Sequence, residues 1–335
     1  MTESINDIEF TNWITNLKIN LLYYGSLTLI PFGFVSNLLI AAIFSRKKFH
    51  SHTMGFYHIL TAGFNSLTML LYFAIYFSQA IGQDVALISN SSCKFFTFSL
   101  RLSTQILSWL CVFLTIDRVV SIYYQNKFQI LKNRIKLFGL ISLMTIGLVI
   151  LNTPNFLYYL NTAAVINTTA NSTKITRSCT ADSPVVRARD TIVLLVRYAI
   201  PLCVTTVLNA FLIYKLFKIK NNVNSVGRKD YIFALSLTGL NALFITSLLP
   251  NFSVLIYLNT IQYEQKSLLG TRKLEMANIY NLIAIIITTL NSCLNIFVIL
   301  IFNSLFRREF RNLIRESFRI LKNKISISDQ STHFK

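Results

Sequence analysis

Charge is what this sequence has least of, and acidic charge is the scarcer half. Only 13% of its 335 residues are charged and 53% are hydrophobic, whereas a soluble domain carries roughly 25% charged residues. Such a chain is expected to lie mostly in lipid. Asp and Glu number 13 against 32 Lys and Arg, a net charge of +19. In a soluble protein that balance would suggest nucleic acid. Here the basic residues gather in short loops between apolar segments, so no nucleic-acid partner is expected. The four histidines form no HExxH pattern and the five cysteines have no metal-ligand spacing. No catalytic triad or phosphate loop appears either, so no enzymatic activity, cofactor or metal is expected. The first twenty residues carry Glu3, Asp7 and Glu9 and lack a basic stretch, which argues against a cleaved signal peptide. The first apolar helix is then the membrane-targeting element. No internal repeat of the kind that marks many transporters is visible.

What the chain has in abundance is long apolar runs. A spanning helix needs about 20 mostly apolar residues, and seven stretches qualify: 21–44, 54–80, 93–124, 137–160, 190–217, 230–258 and 275–302. The fold class expected is an all-α membrane protein, a seven-transmembrane helix bundle followed by a short amphipathic helix. Residues 1–20 form a polar N-terminal segment, 21–302 the bundle, and 303–335 the amphipathic helix and tail. The loops after the first, third and fifth spans hold most of the Lys and Arg, beginning with Arg46, Lys47 and Lys48. Basic loops mark the cytoplasmic side, which puts the N-terminus outside and the C-terminus inside. In the tail, Phe306, Phe310, Leu313 and Ile314 share one helical face and Arg307, Arg308, Arg311 and Arg315 punctuate it. That pattern suits a helix lying in the interface with its basic face toward anionic lipid.

The third span ends in Trp109–Tyr124, with Asp117 and Arg118 side by side. Charged residues within a membrane segment are expensive and are usually kept for function. The plainer reading is a pair of interfacial charges reaching back to water. Seven spans, an outside N-terminus and an Asp-Arg pair closing the third span resemble the rhodopsin-like (class A) G-protein-coupled receptors, over about residues 21–319. The chain looks like a peptide-receptor member of a divergent invertebrate type. The resemblance rests on spacing. Asn37 and Asn65 suit the polar positions of the first two spans. Cys93 precedes Arg118 by about seven helical turns at 3.6 residues per turn. Pro201 and Pro250 match the prolines of the fifth and sixth spans, and Phe244 the aromatic before Pro250. Asn291-Ser292-Cys293-Leu294-Asn295 and Asn303-Ser304-Leu305-Phe306-Arg307 resemble the ending of the seventh span in peptide receptors. The sequence departs from the family at Asn65, where an Asp would hold sodium. It departs again at Val119, Leu248, Ile296 and Ile299, and it has no Trp in the fourth span.

The resemblance implies a receptor that binds an extracellular ligand, a neuropeptide being expected, and activates a heterotrimeric G protein from the plasma membrane. A chemosensory receptor for a small molecule is the alternative. A transporter or channel is a distant third, because the span middles carry almost no acid. Asp117 and Arg118 would form the coupling lock. Asp230, about 30 Å of helix before Pro250 at 1.5 Å per residue, is a candidate acid opposite Arg118. Cys93 and Cys179 would form a disulfide pinning the long loop over the pocket, the alternative being two free thiols. Asn167 and Asn171 head glycosylation sequons in that loop. Asn90 heads another, close to the bilayer, and Asn251 heads one inside a helix that reads as a chance match. Arg101, Gln105 and Arg197 read either as a basic pocket for an acidic group of a ligand or as partners of protein acids such as Asp190. Leu100 stands where amine receptors carry an Asp, and Thr289 where opsins carry the retinal Lys. Asn37, Asn65, Asn291 and Asn295 read as an inner polar network or as plain interhelical glue.

Overall fold

A computed structural model of the chain describes residues 2–49, 53–123, 134–167, 172–219, 227–264 and 271–332. Its long helices are α1 (Thr2–Phe44), α2 (Thr53–Ala80), α3 (Asn90–Tyr123), α4 (Arg134–Leu151), α6 (Ile200–Ile219), α7 (Gly227–Glu264), α8 (Thr271–Phe302) and α9 (Ser304–Thr332). A shorter α5 (Ser183–Ile192) joins α6 through a π-helical segment, Val193–Ala199. Seven helical segments are long and apolar enough to cross a bilayer, with α5, the π segment and α6 counting as one. The seven-helix bundle expected from the sequence is therefore the fold.

The helices close a ring. α1 packs on α2 and α8, α2 on α3, α6 on α7, and α7 on α8, while α3 reaches inward to touch α2, α4, α6 and α7. That central position explains why α3 buries Ser103, Thr104, Gln105, Ser108 and Thr115 along with its apolar residues. The periphery is the reverse. α4 exposes Phe138, Leu143, Ile146 and Ile150. Contiguous exposed apolar surface of this kind is rare on a soluble monomer and is what a helix presents to lipid, where only its backbone must be satisfied internally.

Three sequence boundaries move. The first helix begins at Thr2 rather than near residue 21, because nothing between Glu3 and Asn20 breaks a helix. The fourth helix stops at Leu151 rather than at residue 160. Asn152 turns its side chain back to the Leu148 carbonyl at 2.8 Å, and Pro154 lacks the N–H that an α-helix needs. A 3-10 turn at Thr153–Leu157 follows. The long loop between the fourth and fifth spans carries secondary structure of its own. β1 (Tyr159–Asn167) and β2 (Ser172–Thr180) pair as an antiparallel hairpin with Leu160 opposite Cys179.

α9 turns off the end of α8 through a cap. The Asn303 side chain accepts the Phe306 N–H at 3.0 Å, as an N-cap residue does, and Arg307 donates to the Leu300 carbonyl at 2.8 Å. Phe306 is fully buried, 5.3 Å from the Phe44 ring. Glu309 on the same helix is only 2% exposed. Its carboxylate takes Lys48 at 2.6 Å and Arg46 at 3.1 Å, tying α9 to the turn between α1 and α2. Burial pushes the Glu309 carboxyl up, but the Lys48 hydrogen bond and the Lys48 and Arg46 charges outweigh it, so the group titrates below its ordinary range. Glu316, out in solvent, is held low by its hydrogen bond to Arg46.

Candidate functional site

The bundle carries a polar assembly at each end and a cavity between them, all strung along α3.

At one end, Asp117 and Arg118 are almost fully buried, at 2% and 4% exposure. Arg118 Nε donates to Asp117 Oδ2 at 3.0 Å, and Arg118 Nη2 reaches the same oxygen. Thr53, the first residue of α2, completes the arrangement. Its hydroxyl accepts from Arg118 Nη2 at 3.0 Å and donates to Asp117 Oδ2 at 3.1 Å. The pair is thus a closed cycle of three side chains across two helices, and the reading of two interfacial charges reaching for water does not hold. Thr53 carries no sequence signal; only the fold brings it beside Arg118. The side chain of Asp230 lies outside the described residues, though its backbone sits in the first turns of α7.

In the middle is a cavity of about 110 Å³, room for a few waters. Asn37, Asn65, Asn291 and Asn295 all line it. Asn37 donates to the Gly33 carbonyl at 2.7 Å and to that of Ser292 at 3.4 Å, and the Ser292 hydroxyl donates to Asn65 Oδ1 at 3.2 Å. Asn291 Oδ1 is buried with no hydrogen-bond partner among the described residues. No Asp or Glu is among the lining residues. Sequence reasoning missed a second polar group on the same wall. Asn241 of α7 donates to Thr115 at 3.1 Å and to Asn209 Oδ1 at 3.4 Å, joining α7 to α3 and α6. Asn251, which reads in the sequence as a chance sequon match, is buried and donates to the Ala284 carbonyl at 2.7 Å and to Thr288 at 2.6 Å, joining α7 to α8. Three of the positions where the sequence departs from the receptor pattern are packing positions. Leu248, Ile296 and Ile299 are all buried apolar residues.

At the other end a cleft of about 600 Å³ opens, within the range of small-ligand sites. A hairpin roofs it, and two ties at the start of α3 fix that hairpin. Cys93 and Cys179 form the expected disulfide, with Cα atoms 5.6 Å apart. Asn90 Oδ1 accepts the Leu160 N–H at 2.6 Å, so Asn90 holds the root of the hairpin. Asn167 lies at the tip of β1, with its side chain outside the described set, and Asn171 falls wholly outside the described residues.

Leu100, Arg101 and Arg197 line the cleft, together with Arg177, Arg189 and Asp190. Gln105 does not. It is fully buried and takes the Asn152 amide, facing α4 instead; the turn of helix between Arg101 and Gln105 carries it past the cleft edge. The fifth span explains how Arg197 reaches inward. Pro201 has no N–H for the carbonyl one turn earlier, and the helix widens into the π segment just before it. Trp109 of α3 takes the Val196 carbonyl at 3.0 Å. Arg197 and Tyr72 line both the cleft and the inner cavity, so they form the partition between the two.

No family model and no curated protein matches this chain.

Proposed function

We propose that this chain is a plasma-membrane receptor of the rhodopsin-like, G-protein-coupled type, which binds an extracellular ligand in the cleft and signals to a heterotrimeric G protein at the Arg118 end. A neuropeptide is the ligand class we favour, because the resemblance at the end of the seventh span is to peptide receptors. The observation that carries the reading is the placement of two sites on one helix. α3 brings Arg101 to the cleft, Thr104, Ser108 and Cys111 to the inner cavity, and Asp117 and Arg118 to the opposite end. Any shift of α3 is felt at both ends.

Two physical arguments orient the molecule. A disulfide persists in an oxidising compartment, so the Cys93–Cys179 end faces outside. Arg46, Lys47 and Lys48 lie beside Thr53 at the Arg118 end, and basic short loops stay cytoplasmic. The described acids that are buried also argue against a transport path. Asp117, Asp190 and Glu309 sit at the ends of helices or beyond them, leaving the span middles without a relay.

In the mechanism we infer, the resting state keeps Arg118 within its cycle with Asp117 and Thr53. A ligand favours the active state only by binding it more tightly. Contact with Tyr72 and Arg197, at the partition, transmits ligand binding to the polar cavity and hence to the Asn241–Thr115 link between α7 and α3. Parting α7 from α3 opens the cleft at Arg118 and frees its guanidinium for the G protein.

The test is a signalling assay in cells that express the full chain with a promiscuous G protein, screened against peptides with free and with amidated C-termini, amines and volatiles. A peptide-driven signal that Arg118→Ala abolishes while surface expression persists supports the reading. Signalling that survives Arg118→Ala refutes the coupling role, and a signal from volatiles or amines with none from peptides refutes the peptide ligand.

A further inference from the structure

The cleft has an imbalance of charge. Among the described residues its lining carries four arginines, Arg101, Arg177, Arg189 and Arg197, and two acids, Asp84 and Asp190, with no Lys or Glu; four positive less two negative leaves two positive charges in excess among them. The acids are already engaged. Asp190 Oδ1 takes Arg189 through Nε at 2.8 Å and Nη2 at 2.6 Å. Asp84 accepts from Gln79 at 2.9 Å and from the Ala86 N–H at 2.9 Å. Arg177 is exposed on β2. Arg101 and Arg197 remain. Both are half-buried within spans and line the same cleft, and neither lies within 4.0 Å of a carboxylate among the described residues. Arg197 stacks over the Tyr198 ring at 4.8 Å, yet its Nε is buried with no hydrogen-bond partner among the described residues.

Two like charges held together in a low-dielectric wall are unfavourable unless an anion joins them. A guanidinium is the side chain suited to that anion, because its fork fits a carboxylate with two parallel hydrogen bonds. The remaining wall is mainly aromatic and aliphatic, with Tyr76, Phe96, Leu100, Leu255 and Ile285 beside uncharged polar residues such as Gln79 and Asn281, so the anion would ride on a largely apolar body.

We propose that the cleft recognises its ligand through a carboxylate seated between Arg101 and Arg197, with Arg197 Nε and the Arg101 fork as donors. The inference rests on reading the cleft as the ligand site and narrows the ligand to acids: a peptide with a free C-terminus or acidic side chain, or an apolar carboxylic acid. An amide-ended ligand without an acid is excluded. Because Arg197 also roofs the inner cavity, the carboxylate would press on the partition itself.

The test uses the full chain in lipid nanodiscs and reads thermal unfolding, so it does not depend on G-protein coupling. The probes are benzoate and the tripeptide Phe-Leu-Phe with a free C-terminus, each against its own amide, and inorganic phosphate at matched ionic strength. The acids are expected to raise the midpoint saturably and the amides to leave it unchanged. Arg101→Gln and Arg197→Gln should each weaken the acid effect at least tenfold, while the unliganded midpoint stays level or rises because an unneutralised charge has gone. Arg197→Lys, which keeps the charge and loses the fork, should fall between. Acids and amides acting alike, phosphate stabilising in place of the acids, or an acid effect that persists in both Gln variants would each overturn the proposal. If the acids bind and no G protein responds, the carboxylate site stands and the coupling reading falls.

Discussion

Replacing Glu309 with Gln should loosen α9 from the bundle without disturbing the bundle itself. The carboxylate is 2% exposed and takes Lys48 at 2.6 Å and Arg46 at 3.1 Å. A hydrogen bond to a charged group contributes about 1.5–3 kcal/mol. Half-exposed Lys48 belongs at or below the low end, since solvent screens it. Gln keeps one acceptor oxygen, but its NH2 faces two cations that also only donate. A net loss of about 2 kcal/mol follows, roughly a thirtyfold increase in the fraction of undocked α9 at 1.4 kcal/mol per tenfold. Phe306, packed on Phe44, and the Asn303 cap are untouched, so the first turn stays in place and the helix beyond it loosens. Hydrogen–deuterium exchange in nanodiscs reads this directly, because local opening sets the exchange of each segment. Amides of 309–319 should exchange about thirtyfold faster, with those of α3 unchanged. Glu316→Gln should do much less, since that carboxylate is in solvent. Unchanged exchange in Glu309→Gln would refute the claim that this ion cluster, rather than Phe306 alone, holds α9.

The same cluster sets a pH dependence. Glu309 and Glu316 titrate below their ordinary range, so the docking they add is complete above the unfolded carboxylate value of about 4.3. It is lost as pH falls through their lower folded values; the protection of α9 relative to the intrinsic exchange rate at each pH should be flat from pH 7 to 5 and fall below about 4. Cys93→Ser with Cys179→Ser should lower the unfolding midpoint. Chain entropy for the 86-residue separation sets an upper figure of about 4.6 kcal/mol, and an unchanged midpoint with a hairpin that stays protected would sink the pinning role. Gly239→Val should separate α7 from α8, because a Cβ there meets Val298 Cγ1 at 2.9 Å and Phe302 Cε2 at 3.0 Å. Overpacking of that kind costs about 1–3 kcal/mol, read as a lower unfolding midpoint, and wild-type stability would show that the two helices part freely.

The spans were legible because lipid imposes one rule, about twenty apolar residues at a time, and the sequence obeys it seven times. Asp117 and Arg118 were legible because charge is so scarce elsewhere. Thr53 was not, since a threonine at a helix start has no feature that tells which side chain will come to it. Gln105 was misjudged for a geometric reason: positions 101 and 105 lie four apart, close to one face, yet a cleft edge falls between them. The hairpin was hidden by its Asn, Thr and Ser content, although the β-branched residues Val165, Ile166, Thr173, Thr176 and Ile175 favour extended chain. Asn241 stands as a lone polar residue in an apolar helix, and Asn251 reads first as a sequon. Such residues in lipid need partners from other helices, and that need was itself the signal.

The π segment at Val193–Ala199 has a consequence for spacing. A widened turn takes up about one extra residue, and one residue is about 100° of α-helix. It therefore uncouples the azimuth of the two halves of the fifth span. Upstream, Asp190 and Val193 face the cleft; downstream, Thr205, Asn209 and Leu212 face the interior while Val207 and Phe211 face out. Removing a single residue there and restoring regular α geometry would turn α6 by about a quarter of a circle, carrying Asn209 toward lipid and breaking its link to Asn241. The span's two inward faces are thus kept in register by one residue's worth of slack, and the segment's length, more than the identity of its side chains, is what the bundle cannot lose.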